Sequence, residues 1–360
     1  MRIVEIIPQL HIGGAEHFTV NLCNELVNQG HEVTLIVTNP IQKYGHFSKY
    51  LDSRVRLISM DKKAGPDINL FFKLPKLILK LRPDIVHTHL GAIVYNILSP
   101  LIFSKAKYFH TIHNTAEKEA TTGGYISAIA RKFQFNLKTV KPITISKETH
   151  KSFEKYYGKK IKPTLILNGV PKGEISESSI SEMESGILTL VNVARVMPQK
   201  NHLELVKAVE ELNNEGYPII LYIIGYNDTP EGNEIKSMNL KYSHLLGPKS
   251  NPLDYMAKAD GFILSSIYEG MPLTLIESMS IGKISICTPV GGIKDMITDG
   301  VNGILSKDTS KESLKEAIIR FINLSQDKRE QISSNASASY NDYTMTKCTL
   351  EYLDVFNKQK

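Results

Sequence analysis

Two glutamates, Glu269 and Glu277, stand eight positions apart in the largely apolar run "SSIYEGMPLTLIESMSIG". Carboxylates so placed can act as the acid and base of a glycoside-cleaving pair. They can also grip the hydroxyls of a polyol, or complement the positive end of a helix. The local pattern bears on the choice. Gly270 and Pro272 interrupt the chain, and Leu273, Leu275 and Ile276 then carry a helix with Glu277 in its second turn. Pro272 suits the first turn, where its missing N–H is not needed. The free N–H groups around Gly270, Met271 and Leu273 form an anion site at the helix start. Two hydroxyl-binding carboxylates then flank a phosphate-binding turn. A nucleotide sugar requires this series: sugar hydroxyls, diphosphate, ribose hydroxyls.

Other residues could join that chemistry. Arg195 follows directly on the apolar run "LTLVNVA", at the end of an expected strand, and Lys200 comes shortly after. Arginine offers a fork for phosphate oxygens and lysine a point charge; the competing reading is a pair of solvated surface charges. His113, in "TIHNT", lies after another expected strand and taken alone reads as a strand-end histidine bonded to backbone. His87 and His89, in "HTH", have the spacing of metal ligands, but no third ligand suggests itself, and they are assigned to the core or to a supporting role. Cys23, Cys287 and Cys348 are far apart, show no metal spacing and read as buried thiols of a reducing compartment. "GGAE" is not the glycine fingerprint of an NAD enzyme. A glycosidase would need a proton-transfer partner for each glutamate, and none is evident.

These residues must be held by something. Short β-rich runs ("RIVEIIP", "HEVTLIV", "VRLIS", "DIVHTH", "KYFHTIH", "KPITIS", "PTLILN") alternate with helical stretches over Ala15–Gln29, Ile68–Leu81 and Lys147–Tyr157. Such alternation predicts a parallel sheet covered by helices. The Ser/Glu-rich stretch Asn168–Gly186 reads as a connection between domains, and a second alternation follows it. The expected organisation is a Rossmann-like domain over 1–167, a linker over 168–186, a second Rossmann-like domain over 187–339 and a C-terminal helix over 340–360. The two α/β halves are expected to face each other across a cleft, with ligands at the carboxyl ends of the strands. In the last helix, Leu350, Leu353 and Phe356 recur at helical spacing.

Glu269 and Glu277 resemble the Glu-x7-Glu signature of the retaining glycosyltransferases of family 4, which have the GT-B two-Rossmann fold. "GGAEHFTVNLCNELVNQGHEVTLIV", "PDIVHTH", "HTIHNT", "LNGV", "VNVARVMPQKNH" and "PVGGIKDMITDGVNGIL" resemble further family segments, in the same order and over nearly the whole chain. The resemblance implies a role for each candidate. Glu269 holds the donor sugar's hydroxyls and Glu277 the ribose. Arg195 and Lys200 neutralise the diphosphate, and the backbone of Gly13 and Gly14 approaches it. His113 lies near the donor sugar and reaction centre, making it and Glu269 the catalytic candidates. Gly270, Met271, Pro272 and Leu273 line the phosphate turn. It also implies that the C-terminal helix crosses back to the first domain. One departure is "RVMPQK", where the family often has a glycine-rich turn between the Arg and the Lys. The chain contains no Asp-x-Asp, so no metal cofactor is expected; the nucleoside-diphosphate sugar, most commonly a UDP-sugar in this family, is a co-substrate. The rival readings are a nucleotide-sugar epimerase on the same fold and a non-catalytic nucleotide-sugar sensor.

Charge points to the acceptor. Of 43 Lys+Arg and 37 Asp+Glu, residues 1–165 hold 24 basic and 12 acidic ones, and the remainder 19 and 25. No helix-turn-helix, zinc-finger or aromatic RNA-binding signature accompanies the basic half, which argues against nucleic acid. "NLFFKLPKLILKLRP", residues 69–83, sets Leu70, Phe71, Phe72, Leu74, Leu77, Ile78 and Leu81 beside Lys73, Lys76, Lys80 and Arg82. That composition suits an interfacial helix on an anionic membrane, although an ordinary sheet-covering helix has it too, and Pro75 is expected to interrupt it unless the helix begins there. The start lacks a signal peptide's features, and no run is long and apolar enough to span a bilayer. The expectation is a cytoplasmic enzyme, peripheral on the inner face of the membrane, acting on a lipid-diphosphate-linked saccharide in cell-surface polysaccharide assembly.

Overall fold

The computed structural model describes all residues except 12, 45, 123, 177–179, 181, 185, 359 and 360, and of 43, 44 and 126 the backbone alone. The chain forms two compact units. One is Met1–Pro171 with Thr344–Lys360; the other is Lys172–Tyr343. Of the expected linker, Asn168–Pro171 thus belongs to the first unit and the remainder to the second, with 177–179, 181 and 185 outside the described residues.

The first unit carries seven strands: β1 (Arg2–Ile7), β2 (Glu32–Val37), β3 (Arg56–Ser59), β4 (Ile85–His89), β5 (Lys107–Ile112), β6 (Lys141–Thr144) and β7 (Thr164–Leu165). All pair in parallel, in the order β3-β2-β1-β4-β5-β6-β7. The second unit has β8 (Leu188–Val193), β9 (Ile219–Ile224), β10 (Ser243–Gly247), β11 (Gly261–Leu264), β12 (Ser285–Cys287) and β13 (Ile304–Leu305). These are again all parallel, in the order β10-β9-β8-β11-β12-β13. Strands covered on both faces read as continuous apolar runs; "IILYII" of β9 is buried throughout. The strand order reverses between β1 and β4 in one sheet and between β8 and β11 in the other. In open α/β sheets the crevice beyond the strand ends at such a reversal is where ligands bind.

The helices that position candidate residues or cover the first sheet are α1 (Gly14–Asn28), α2 (Leu70–Leu81), α3 (Ala116–Thr121), α4 (Gly124–Asn136), α5 (His202–Asn214), α6 (Leu273–Ser280) and α7 (Met345–Asn357). Contrary to the sequence expectation, α2 runs straight through Pro75. The proline is buried beside Leu74 and Ile78, so packing on the sheet outweighs one missing backbone hydrogen bond.

Helix α7 belongs to the first unit although it ends the chain. Its entry is fixed where the Met345 N–H donates to the Val170 carbonyl at 2.8 Å. Thr346 Oγ1 bonds Glu25 of α1 at 3.0 Å, and Phe356 packs on Phe109 of β5 with centroids 4.8 Å apart. The buried face is Met345, Cys348, Thr349, Tyr352, Leu353 and Phe356. Leu350, expected on that face, is 51% exposed; the i, i+3, i+4, i+7 series runs from Met345 through Cys348, Thr349 and Tyr352 and leaves it out.

Candidate active site

In the second unit, the candidates come from the two strands that flank the reversal. Arg195 is exposed just beyond β8, and Lys200 follows in a single 3-10 turn, Pro198–Lys200, that leads into α5. Glu269 lies in the loop between β11 and α6. Lys200 Nζ is 2.6 Å from Glu269 Oε1, which also accepts from Ser266 Oγ at 2.6 Å. The Glu269 side chain is only 7% exposed. A carboxylate at that depth needs partners, and a lysine and a serine supply them.

Backbone contacts stitch the two loops together. The Ile267 N–H donates to the Gln199 carbonyl at 2.8 Å, Gln199 Nε2 donates to the Tyr268 carbonyl at 2.9 Å, and Ser265 Oγ donates to the Lys200 carbonyl at 2.8 Å. A third loop, after β12, closes on them. Thr288 Oγ1 donates to the Ser266 carbonyl at 2.6 Å, and the Gly292 N–H to the Gly270 carbonyl at 3.1 Å. Gly291 has φ +50°, and a methyl group there would lie 1.7 Å from the Glu269 carbonyl oxygen. Only glycine fits this crossing.

Helix α6 begins one residue later than the sequence suggests. Pro272 is the N-cap, extended at φ −73° and ψ 120°, and no side chain caps the helix. Its first-turn N–H groups have no intrahelical acceptor, and their positive end favours an anion. Met271 and Leu273 are buried beside it. Glu277 is half-buried one turn into the helix.

The first unit holds Gly13, Gly14 and His113. Gly13 is the extended N-cap of α1, without a side-chain cap. A methyl group on it would come within 2.4 Å of the Glu16 carboxylate, whereas Gly14 is exposed with open space where a side chain would be. This is a second helix start at a sheet reversal whose N-cap residue has no side chain, with Glu16 in its first turn.

His113 follows β5 and is half-buried. Glu119 of α3 reaches back to accept its backbone N–H at 2.7 Å. The same carboxylate accepts from Arg131 of α4 at 2.8 Å and meets His110 Nε2 at 3.0 Å. On its ring side, His113 Nε2 is 2.9 Å from His89 Nδ1, and His89 Nε2 is 2.8 Å from Glu5 Oε2. Burial and the neighbouring His89 push the His113 ring well below its ordinary pKa. Burial and His87 hold His89 down at about 4. Burial would raise Glu5, but the imidazoles, His87 foremost, outweigh it and keep the carboxyl at about 2.

On sequence alone His87 and His89 lack a third group, and in the fold Glu5 is that group. His87 Nδ1 lies 2.9 Å from Glu5 Oε2, and all three side chains are fully buried. By type and proximity the three could hold a metal ion. Glu5 is a carboxylate in the middle of the central strand "RIVEII", and that placement is the one signal in the sequence that something polar must face it. Ser266, Gln199 and Gly291 escape sequence reasoning for another reason: each matters through a contact between loops that only the fold brings together.

Two family models match, one on each half. "Glycosyltransferase Family 4" matches residues 12–173 and "Glycosyl transferases group 1" residues 177–339. The chain is 26% identical over 343 residues, 88% of this chain and 86% of the other, to the UDP-Gal:alpha-D-GlcNAc-diphosphoundecaprenol alpha-1,3-galactosyltransferase of Escherichia coli. It is 24% identical over 373 residues, 100% and 99% of the two chains, to a Campylobacter jejuni transferase that acts on a GalNAc-containing undecaprenol-diphosphate saccharide. Among solved structures, a Rickettsia africae glycosyltransferase superposes with a TM-score of 0.82 at 20% identity over 99% and 98% of the chains. Anabaena HepE in complex with UDP-glucose superposes with a TM-score of 0.83 at 17% identity over all of both chains.

Proposed function

The chain belongs to the family 4 glycosyltransferases, and we propose that it is a retaining, metal-independent enzyme that moves a sugar from a UDP-sugar to a lipid-diphosphate-linked saccharide. The observation that carries the donor side is the Lys200–Glu269 pair, 2.6 Å apart beside the uncapped start of α6. Before donor arrives, each charge satisfies the other. An incoming diphosphate gives Lys200 a new anionic partner and releases Glu269 to accept hydrogen bonds from the sugar's hydroxyls. Arg195 joins Lys200 at the diphosphate, with the N–H groups around Gly270, Met271 and Leu273 beside Pro272. Glu277 holds the ribose, and the exposed backbone at Gly14, next to Gly13, is proposed to approach the phosphates. His113 is the catalytic candidate of the first unit and Glu269 that of the second.

In the proposed step the bond between the anomeric carbon and the departing diphosphate oxygen breaks. The acceptor oxygen attacks the same face, and its proton passes to the leaving phosphate. Fixed cations and backbone N–H groups stabilise the charge that develops on the leaving group.

The acceptor reading draws on the relatives' lipid-diphosphate substrates and on the surface of the first unit. Phe72 and Leu79 of α2 are 57% and 46% exposed, and Lys73, Lys76 and Lys80 are exposed beside them. On α4, Tyr125, Ile129 and Phe133, one helical turn apart, are 82%, 51% and 49% exposed. Apolar tips among lysines suit peripheral attachment to an anionic, cytoplasm-facing membrane. Among the described residues no helix is long and apolar enough to cross a membrane. The test is to supply UDP-sugars with undecaprenyl-diphosphate saccharides and read the new linkage by NMR. Transfer with the donor's anomeric configuration kept is expected. Inversion would overturn the retaining mechanism, and conversion of the UDP-sugar without acceptor would favour an epimerase.

A further inference from the structure

Parallel strands place register partners side by side, and successive residues face opposite ways. Glu5 of β1 pairs with His87 of β4, and His89 of β4 pairs with Thr111 of β5. Those four share one face of the sheet, while Thr88 and His110 share the other. The first face carries a continuous buried series. Tyr352 of α7 has its hydroxyl 2.9 Å from Thr111 Oγ1, which is 2.8 Å from His87 Nε2. His87 and His89 both contact Glu5 Oε2, and His89 Nδ1 reaches His113 Nε2. Phe18 of α1 packs edge-on against both His89 and His113, with centroids 6.4 and 5.7 Å away. Glu5, His87 and His89 are all fully buried, far from any direct role with a substrate.

We infer that Glu5 and His89 are positioning residues that fix the ring and the tautomer of His113. The protons can be placed in order. An ionised Glu5 only accepts, so His89 carries its proton on Nε2. A neutral His89 then has a bare Nδ1, which can only accept, so the proton between the two rings sits on His113 Nε2. His113, neutral in its turn, is left with an unprotonated Nδ1. Glu119 holds the backbone of the same residue, so His113 is constrained at both its main chain and its ring. A group so prepared offers a hydrogen-bond acceptor to a hydroxyl and has no proton on Nδ1 to give. Orientation of a working imidazole by a carboxylate behind it is a general device; here the carboxylate acts through an intervening imidazole. The same three residues could instead hold a metal ion, and the zinc content of the purified protein separates that reading from the relay.

The inference rests on His113 lying at the reaction centre, and the experiment separates the two. Full-length protein labelled with 15N-histidine is compared with Glu5→Gln and His89→Phe by NMR, with the donor's kcat and KM measured for each. In the unsubstituted protein the His113 signals should show the Nε2–H tautomer. Both substitutions should shift that tautomer and lower kcat roughly 10- to 100-fold, with KM for the donor changed less than threefold. In a His113→Ala background, Glu5→Gln should cost nothing further, because the pair acts as one unit. An unshifted His113 tautomer in folded Glu5→Gln and His89→Phe would overturn the relay. So would stoichiometric zinc in the purified protein that is lost with Glu5→Gln. A shifted tautomer together with full activity of His113→Ala would leave the relay standing and remove His113 from the reaction centre.

Discussion

The two units treat their charges in opposite ways. In the second, Glu269 is buried at 7% exposure but its partner Lys200 is 19% exposed, so the pair has one side that an anionic ligand could exchange. In the first, Glu5, His87, His89 and His110 are wholly enclosed, and Glu119 and Arg131 nearly so. In the relay inferred above, Glu5 and His89 would act through the ring of His113, and Glu119 holds its backbone. An enclosed pair loses more on breaking than an accessible one, because the remaining partner has no water to turn to. The comparison therefore assigns exchange to one set of charges and positioning to the other, and it can be broken at several points.

The largest effect is expected at Gly291. Gly291→Ala puts a methyl group on the Glu269 carbonyl and a side chain in the left-handed region at φ +50°. The loop that carries Glu269 must move, at a cost of roughly 3 kcal/mol or more. Transfer should become undetectable and the melting temperature should fall. Gly14→Ala provides the contrast in the first unit. Nothing lies within 4 Å of the added methyl group, and alanine favours a helix by roughly 0.5–1 kcal/mol. Stability should hold or rise. If phosphates approach that backbone, donor KM should still rise about tenfold, the worth of one lost hydrogen bond; an unchanged KM would take Gly14 out of the donor site.

Next come the two cations. Lys200→Ala and Arg195→Ala should each reduce donor turnover roughly 10²–10³-fold, the range for losing one transition-state donor. Their stabilities should part. Lys200→Ala leaves Glu269 with Ser266 as its remaining partner at a poorly hydrated position, costing about 1–3 kcal/mol. Arg195 is exposed, and its loss should change stability by about 0.5 kcal/mol at most. Equal melting temperatures for the two would contradict the paired reading of Lys200.

How much of this could be read from the sequence divides along the same line. The strands, both parallel sheets and the Glu269–Glu277 motif are local patterns, and local patterns survive in a sequence. That Lys200 meets Glu269 depends on β8 and β11 being neighbours, a fact of strand order. The first unit was harder. His87, His89 and His113 each stood out by residue type, but Glu5, Thr111 and Tyr352 join them from separate parts of the chain. Pro75 lies inside α2 against local propensity, which weighs a missing N–H and cannot weigh the packing of Leu74 and Ile78 beside it.

Acid should affect the first unit more than the second. His89 and His110 are held at about 4, and an unfolded histidine titrates near 6.5. The unfolded chain therefore binds more protons between those values, and stability falls as pH drops through that window. Glu5, at about 2 against an ordinary 4.5, extends the loss below pH 4.5. In the second unit His202 is also depressed, to about 3, by burial and then Lys200, but it stands without a comparable cluster among the described residues. Hydrogen exchange followed from pH 7 to 4.5 should show amides of β1, β4 and β5 opening before those of β8, β9 and β11. The reverse order would mean that the buried network does not dominate the first unit's stability.

The smallest effect on the folded protein, and the most specific to the acceptor, concerns α2. Its buried side, Leu70, Leu74, Pro75 and Ile78, covers the sheet, so replacing the exposed lysines should leave folding and donor binding nearly unchanged. What should change is adhesion. Each cation near an anionic surface contributes about 1 kcal/mol, and the attraction is screened by salt. Sedimentation with phosphatidylglycerol vesicles should retain the unsubstituted protein at low salt and release it at high salt. The triple substitution Lys73→Glu, Lys76→Glu and Lys80→Glu should abolish binding at both. Phe72→Ser with Leu79→Ser should weaken it more modestly, since those side chains are only about half exposed. If the charge-reversed protein still sediments, the exposed stripe of Tyr125, Ile129 and Phe133 on α4 becomes the surface to alter next. If the unsubstituted protein does not sediment at low salt, the acceptor is reached without a membrane contact of this kind, and a water-soluble saccharide becomes the better candidate.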